Sequence, residues 1–237
     1  AFSSFDSKLK DLKAKVDALD SDTEVRSYAV TTSSDEFFTA TAESTALPGS
    51  YQLEVKNLAQ LQKDVSGGYA SKTEAAFGQG TITINGTAIA YDGDSLTGIM
   101  DKINAANTGD APTGVSASII NDGVTGYRLV LTGDDPFSPF SAAVSESTAG
   151  AYAAPVFSNV QAAKPATILL DNIEIQSASN TFSNTIPGVT FTVGKANAPG
   201  ETTGVTVAVD QKAIADKLNA FVNAYNGVVQ FVKDQAD

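Results

Sequence analysis

The two ends of this chain carry matching apolar stripes, and those stripes constrain everything between them. Near the start, Phe2, Phe5, Leu9, Leu12, Val16 and Leu19 recur three and four residues apart, with Lys, Asp and Ser on the other faces. Near the end, Ile214, Leu218, Phe221, Tyr225, Val228 and Val232 repeat the pattern, and Val222 and Val229 widen it. Such spacing marks an amphipathic helix. Asp6 with Lys10 and Asp11 with Lys15 are acid-first pairs one turn apart, an arrangement that supports a helix. Asp210 stands where the second helix needs an N-cap. Isolated helices of this length are marginal in water. Phe5, Leu9, Leu12 and Val16 are therefore expected to pack against Ile214, Leu218, Phe221 and Tyr225, antiparallel, as a short coiled-coil stem. The intervening chain must then leave the helical layer and return to it.

That intervening chain reads as strands and turns. Residues 39–42 and Tyr51, Leu53 and Val55 alternate with polar neighbours on either side of Pro48-Gly49. Thr81-Ile82-Thr83-Ile84 runs into Asn85-Gly86 and then Thr87 to Tyr91. Asn-Gly between two alternating runs signals a tight hairpin, because both turn positions need positive φ. Ser95 is placed to cap a short helix through Leu96, Ile99, Met100 and Ile103, and strands at 115–120 and 127–132 follow. Residues 134–165 are rich in Ala, Ser and Pro and read mostly as loop with one or two short elements. Strands resume at 167–170 and 173–175 around Asp171-Asn172, then at Val189, Phe191 and Val193, and Val205, Val207 and Val209 lead into the second helix.

Composition narrows the chemistry. With 27 acids against 15 bases the net charge is -12, which repels phosphate backbones and anionic lipid. Nucleic acid is therefore not an expected partner. The absence of Cys and His removes thiol nucleophiles, zinc-thiolate and His metal sites and the Ser-His-Asp triad. Asp92-Gly93-Asp94 lacks the later Glu of a calcium loop and suits a plain turn. The Ser7 to Lys10 match to an S-x-x-K pattern lies on the solvated side of the first helix without its companion motifs. Paired carboxylates alone would serve a glycosidase, but there is no Trp to line a sugar cleft. No catalytic residue, cofactor or metal is expected. Residues 1–20 lack the apolar core of a signal peptide, and no stretch approaches a membrane span. The chain opens on Ala in mid-pattern and is read as a piece of a longer protein.

Residues 80–132, from Gly80-Thr-Ile-Thr-Ile-Asn85-Gly-Thr through Ser95-Leu96, Ile103-Asn104-Ala105-Ala106 and Val115-Ser-Ala-Ser to Tyr127-Arg-Leu-Val-Leu-Thr132, resemble an insertion motif of flagellins and hook-associated proteins. Phe38-Thr-Ala-Thr-Ala42 with Gly49-Ser-Tyr-Gln-Leu-Glu-Val-Lys-Asn-Leu-Ala59 is similar to the N-terminal signature of the hook-associated protein 2 (FliD) family, which caps the bacterial flagellar filament. Asp171-Asn-Ile-Glu-Ile175, Ser179-Asn180, Ile186-Pro-Gly-Val-Thr190 and Ala220-Phe-Val-Asn-Ala-Tyr-Asn226 resemble its C-terminal signature.

The resemblance implies an α+β, multidomain protein. An antiparallel helical stem from the two chain ends would bear two nested, mainly antiparallel β-rich head domains. The pattern sets the expected limits at 1–30 with 207–237 for the leg, 31–69 with 164–206 for one head domain, and 70–163 for the inserted one. Gly67-Gly68 and the Pro-containing 155–165 stretch have the composition of linkers. The implied role is a structural cap at the filament tip that promotes flagellin folding and insertion and is needed for motility. Implied partners are flagellin, further copies of the chain in a ring (weakly, for this chain alone), a flagellar export chaperone and the hook-filament junction proteins. The implied place is outside the cell, reached through the flagellar secretion channel without a cleaved signal and without membrane insertion. A hook-filament junction protein, and an adhesin binding host glycans through the head, are the alternatives left open.

Overall fold

The structure, a computed structural model, describes residues 2–236. Ala1 and Asp237, both assigned to the leg, and the side chain of Phe2 lie outside the described residues. Helix α1 (Phe2–Asp17) and the single turn α2 (Asp22–Val25) open the chain. Strands β1 (Tyr28–Thr32), β2 (Phe38–Ala42), β3 (Gly49–Asn57), β4 (Lys63–Ser66), β5 (Gln79–Ile84) and β6 (Thr87–Asp92) precede α3 (Leu96–Ala106). Strands β7 (Val115–Asn121), β8 (Tyr127–Gly133), β9 (Ala142–Thr148), β10 (Phe157–Gln161) and β11 (Ala166–Leu170) follow it. The chain ends with β12 (Ile173–Ser177), β13 (Thr181–Ile186), β14 (Val189–Val193), β15 (Thr203–Val209) and α4 (Gln211–Ala236). Among the described residues no helix is long and apolar enough to cross a membrane.

These elements form two compact units. Among the described residues, the first comprises 2–56, 168–175 and 180–236. It holds α1 and α4, a sheet in the order β1-β15-β3-β11-β12 and a smaller one in the order β13-β14-β2. The ladders β1 with β15, β15 with β3, β13 with β14 and β14 with β2 are all antiparallel. Side chains alternate across a strand, and the inward set Leu53, Val55, Val205 and Val207 is at most 2% exposed. Phe38 meets Phe191 edge to face, their ring centroids 5.8 Å apart. Asp210 ends β15 and starts α4: its Oδ1 accepts the Ala213 N–H at 2.9 Å and its own N–H bonds the Ser27 carbonyl.

The second unit, residues 57–167 with 176–179, has one core between two sheets and a helix. One sheet runs β10-β4-β8-β7, the other β6-β5-β9. Leu96, Ile99 and Ile103 of α3 meet Ile82, Ile84, Val115, Leu129 and Leu131, all buried. The β5–β6 turn has Asn85 at φ 48° and Gly86 at φ 86°, the left-handed pair that its sequence required. Asn85 also joins three segments, donating to the Thr113 carbonyl and accepting from Ser141 N–H. Ser95 caps α3 by accepting from Gly98 N–H at 3.1 Å. The loop expected at 134–165 yields two edge strands, β9 beside β5 and β10 beside β4. The inserted unit begins before residue 70, because β4 lies between β10 and β8 inside its sheet. The leg helices and the first pair of sheets fall in one compact unit, where the sequence reading separated them at 30 and 207.

The β7–β8 hairpin tip is organised by one carboxylate. Asp122 accepts from Thr125 Oγ1 at 2.5 Å, from Arg128 Nε at 2.7 Å and from the backbone N–H groups of Val124, Thr125 and Gly126. Gly126 sits at φ 100° with the Tyr69 carbonyl 2.2 Å from where a Cβ would be, so no other residue fits there. The Thr125 hydroxyl, then Arg128 and the backbone donors, hold the Asp122 carboxyl far below the usual aspartate range.

Two predictions follow from this unit. Residues 57–167 expressed alone are expected to unfold in one cooperative urea transition, with Leu131→Ala lowering stability by ~2–5 kcal/mol; a non-cooperative or unfolded product rejects the division. For Asp122 the folded pKa is depressed, so its stabilisation is present above the ordinary aspartate value and is lost only as pH falls through the depressed one. Asp122→Asn should therefore be less stable than the parent at neutral pH, and the gap should persist to about pH 3, where ordinary aspartates are already protonating. Urea titrations of both proteins across pH measure it.

Candidate functional site

The stem is the candidate site, and its geometry starts from the antiparallel contact of α1 with α4. The Phe5 and Phe231 rings stack with centroids 5.6 Å apart and 21° between planes. At the other end Lys217 Nζ donates to the Glu24 carbonyl at 2.5 Å. Of the two expected i,i+4 pairs, Asp6–Lys10 at 2.7 Å lies in solvent, and Asp11–Lys15 at 3.8 Å lies beside α4.

The structure divides the expected seam residues. Phe5, Leu12, Ile214 and Phe221 are half-buried along the contact. Leu9, Val16, Leu218 and Tyr225 are not; each is between 41% and 52% exposed. Their places facing the partner helix are taken by Lys8 and Lys15 on α1, and by Lys217, Ala220, Ala224, Gly227 and Phe231 on α4, all partly buried. The inward side of α4 is therefore rotated from the expected stripe by about one residue. The cause is size. Ala and Gly let two helix backbones approach, whereas the broad stripe of Val, Leu and Tyr beside them would hold the helices apart.

The two long sides of the helix pair differ as a result. On one, a groove of about 430 Å³ is lined by Lys8, Asp11, Lys15, Ala220, Ala224 and Gly227. On an α-helix each residue advances by 100°, so in an antiparallel pair Leu9 and Val16 fall on the same side as Leu218, Val222, Tyr225 and Val232, opposite that groove. The flanking α4 positions Ala215, Asn219, Asn226 and Gln230 are exposed and carry no charge. Half-burial of six such side chains leaves on the order of 5 kcal/mol of apolar transfer free energy unrealised. That is comparable with the whole stability of many domains, so this face differs from the scattered exposed leucines of an ordinary surface.

Lys13 pairs with Asp17 at 2.7 Å and Lys212 with Asp216 at 2.6 Å, both in solvent. In the second unit, Asp94 binds Lys102 at 2.6 Å and the Asp92 N–H at 2.9 Å, which accounts for the Asp-Gly-Asp turn. Burial pushes the Asp94 carboxyl up, but Lys102 and the Asp92 N–H outweigh it and hold the group low. Among the described residues no three His, Cys, Asp or Glu side chains gather as metal ligands would.

Helices at both ends of the chain pack together, and the strand-rich regions lie between them in sequence. The family models described as flagellar hook-associated protein 2 N-terminus and C-terminus match residues 1–62 and 163–237, together more than half of the chain. The chain belongs to the flagellar hook-associated protein 2 family. It is 30% identical over 261 residues to the B-type flagellar hook-associated protein 2 of Pseudomonas aeruginosa, covering 99% of this chain and 54% of that protein. It is 30% identical over 223 residues to the lateral flagellar hook-associated protein 2 of Vibrio parahaemolyticus, covering 85% of this chain and 50% of that one. The chain thus spans about half the length of the curated relatives it matches.

The fold agrees. The D1-D2-D3 domains of the flagellar cap protein FliD from Escherichia coli superpose with a TM-score of 0.74 at 27% identity, covering 97% of this chain and 69% of that one. FliD from Pseudomonas aeruginosa gives a TM-score of 0.66 at 28% identity, covering 86% of this chain and 98% of that one. The α+β class, with helices at both ends and antiparallel β-rich head regions between them, is that of the cap structures.

The inward side of α4 is tested by size. Ala224→Leu should destabilise the chain by ~1–3 kcal/mol through overpacking, while Leu218→Ser should change stability by less than ~0.5 kcal/mol. Urea unfolding that reverses this order would put the Leu218 side inward.

Proposed function

We propose that the chain is the leg and head region of a flagellar filament cap, and that its leg works by seating an α-helix of flagellin on the apolar face of Leu9, Val16, Leu218, Val222, Tyr225 and Val232. The observation that carries this reading is the heptad spacing of that exposed face on α4. Anchors three and four residues apart on α4, with the Lys13–Asp17 pair beside Leu9 and Val16 on α1, suit an amphipathic helix laid along them. A cap that guides successive subunits needs such contacts to be modest in depth, so that each helix is released after insertion; half-exposed Val and Leu on a convex helix pair meet that need better than a closed pocket.

The family is a structural flagellar cap family and not an enzyme family, and a non-enzymatic role is proposed for this chain. The proposal places it outside the cell at the filament tip, exported through the flagellar channel, with an export chaperone and the hook-filament junction proteins met on the way. Further copies of the chain would complete a ring. Within the first compact unit, the helical leg and the sheets of the first head region are proposed as separate domains, with the second unit inserted in the head.

The reading is tested in the full-length gene. Leu218→Asp with Val222→Asp alters only exposed side chains, so folding and secretion should be retained. Filament growth and swimming should fail, with unpolymerised flagellin accumulating in the medium. Normal filaments from the double variant would reject the leg face as the flagellin seat.

A further inference from the structure

The chain contains two Asn-Gly pairs, Asn85-Gly86 in the β5–β6 turn and Asn226-Gly227 on α4. Such a pair is labile in water, because glycine leaves its own nitrogen open to attack the carboxamide carbon of the asparagine before it. A bond forms from the glycine N to the asparagine Cγ, the Cγ–Nδ2 bond breaks, and ammonia leaves with the hydrogen of the glycine N–H. The succinimide ring that results takes up one water and opens to aspartate or to isoaspartate. Water is the co-reactant, and nothing is oxidised or reduced.

At Asn85 the nucleophile is open and the carboxamide is held. Nothing lies within 4 Å of where a Gly86 Cβ would be. The Asn85 Nδ2 donates to the Thr113 carbonyl at 2.9 Å, and its Oδ1 accepts the Ser141 N–H at 3.0 Å. Its own N–H donates to the Ser141 carbonyl at 3.0 Å. Asn85 and Ser141 thereby add one rung to the β5–β9 ladder beyond Ile84↔Ala142, with a side-chain oxygen standing in for a backbone carbonyl. Attack at Cγ turns a planar amide tetrahedral and releases Nδ2, so both side-chain bonds must be given up. We infer that Asn85 is a deamidation site gated by β9: the docked strand shields the carboxamide, and the reaction proceeds when the strand leaves.

The gate is weak, and the product does not close it again. Strand β9 lies at the edge of its sheet, beside β5. Its register shifts between Gln79 and Gly80, and Ser145, Glu146, Ser147 and Thr148 are exposed. Ala142 and Val144 are its partly buried apolar anchors. An edge strand held by so few buried contacts opens locally more readily than the core does. An aspartate at 85 has no Nδ2 hydrogen for the Thr113 carbonyl, and Thr113 is 4% exposed, so a buried acceptor loses its donor. Isoaspartate adds a methylene to the main chain of a two-residue turn in which Ile84 stands opposite Thr87. Either product keeps β9 loose, and the second unit then bears a permanent mark of having opened. The inference concerns the chain itself and does not rest on the cap reading.

The whole chain is held in mildly alkaline buffer, native and in urea, and digestion with mass spectrometry follows aspartate and isoaspartate at 85 and 226. Asn85 should convert about tenfold or more slowly in the native chain than in urea, because a protected site reacts only from its open form. Val144→Ala loosens β9, and Ser141→Pro removes the N–H that Oδ1 accepts. Each should raise the native rate at Asn85 about threefold or more and leave that at Asn226 unchanged. Circular dichroism checks that each variant is folded, and Val144→Ala alone decides should Ser141→Pro not fold. Asn85→Asp, made directly, should unfold at a lower urea concentration than the parent. Equal Asn85 rates in native buffer and urea overturn the inference. So does a native rate that no folded variant changes, or a rise shared equally by Asn226, which would make the gate global unfolding. An Asn85→Asp chain as stable as the parent overturns the permanence of the mark.

Discussion

The contact between α1 and α4 is the constraint on which the rest of the structure depends. It joins the two ends of the chain, so every strand between them must lie on a path that starts and finishes at the same place. The short covering of that contact by Ala220, Ala224 and Gly227 draws the helices close and turns the larger residues of α4 outward. A stem closed by larger side chains would bury Leu218 and Tyr225 and leave no apolar face. The same choice of small residues therefore shapes both the packing of the stem and the apolar face that it leaves exposed.

Much of the fold is legible in the sequence because its signals are local. Ser95 and Asp210 cap the helices they precede, and Asn85-Gly86 forms the turn that its conformational freedom allows. Strand β4 was not legible. Lys63-Asp64-Val65-Ser66 has no apolar alternation, and its inward positions are polar. Gln62 and Asn159 donate to the Asp64 carboxylate, and Ser66 Oγ accepts the Leu129 N–H. Asn159 and Leu129, distant in sequence, help to satisfy these groups, so no local pattern announces the strand. The β9 and β10 edges were hidden for a related reason, since an edge strand needs only one partner and can be short and polar.

The candidate site was half legible. Periodicity finds an apolar helix face but does not say which part of a broad one turns inward. The signal was present in Ala213, Ala220, Ala224 and Gly227, one line of small residues along α4. Hydrophobic patterning gives such residues little weight, although they decide how closely two helices approach. The hold on the Asn85 side chain was not legible at all, because Thr113 and Ser141 come to it only through the fold.

The junction at Asp210 has a mechanical consequence. Strand β15 runs directly into α4 and is hydrogen-bonded on one side to β1 and on the other to β3. Tension along the stem therefore enters the sheet through an interior strand. It loads the ladder between β15 and β3, from Thr203↔Leu53 to Val207↔Gly49, along the strand direction. Bonds loaded this way share the force and must break together, whereas a hairpin pulled from its open end yields one bond at a time. A stem anchored in that manner can be pulled repeatedly while the sheet keeps its register.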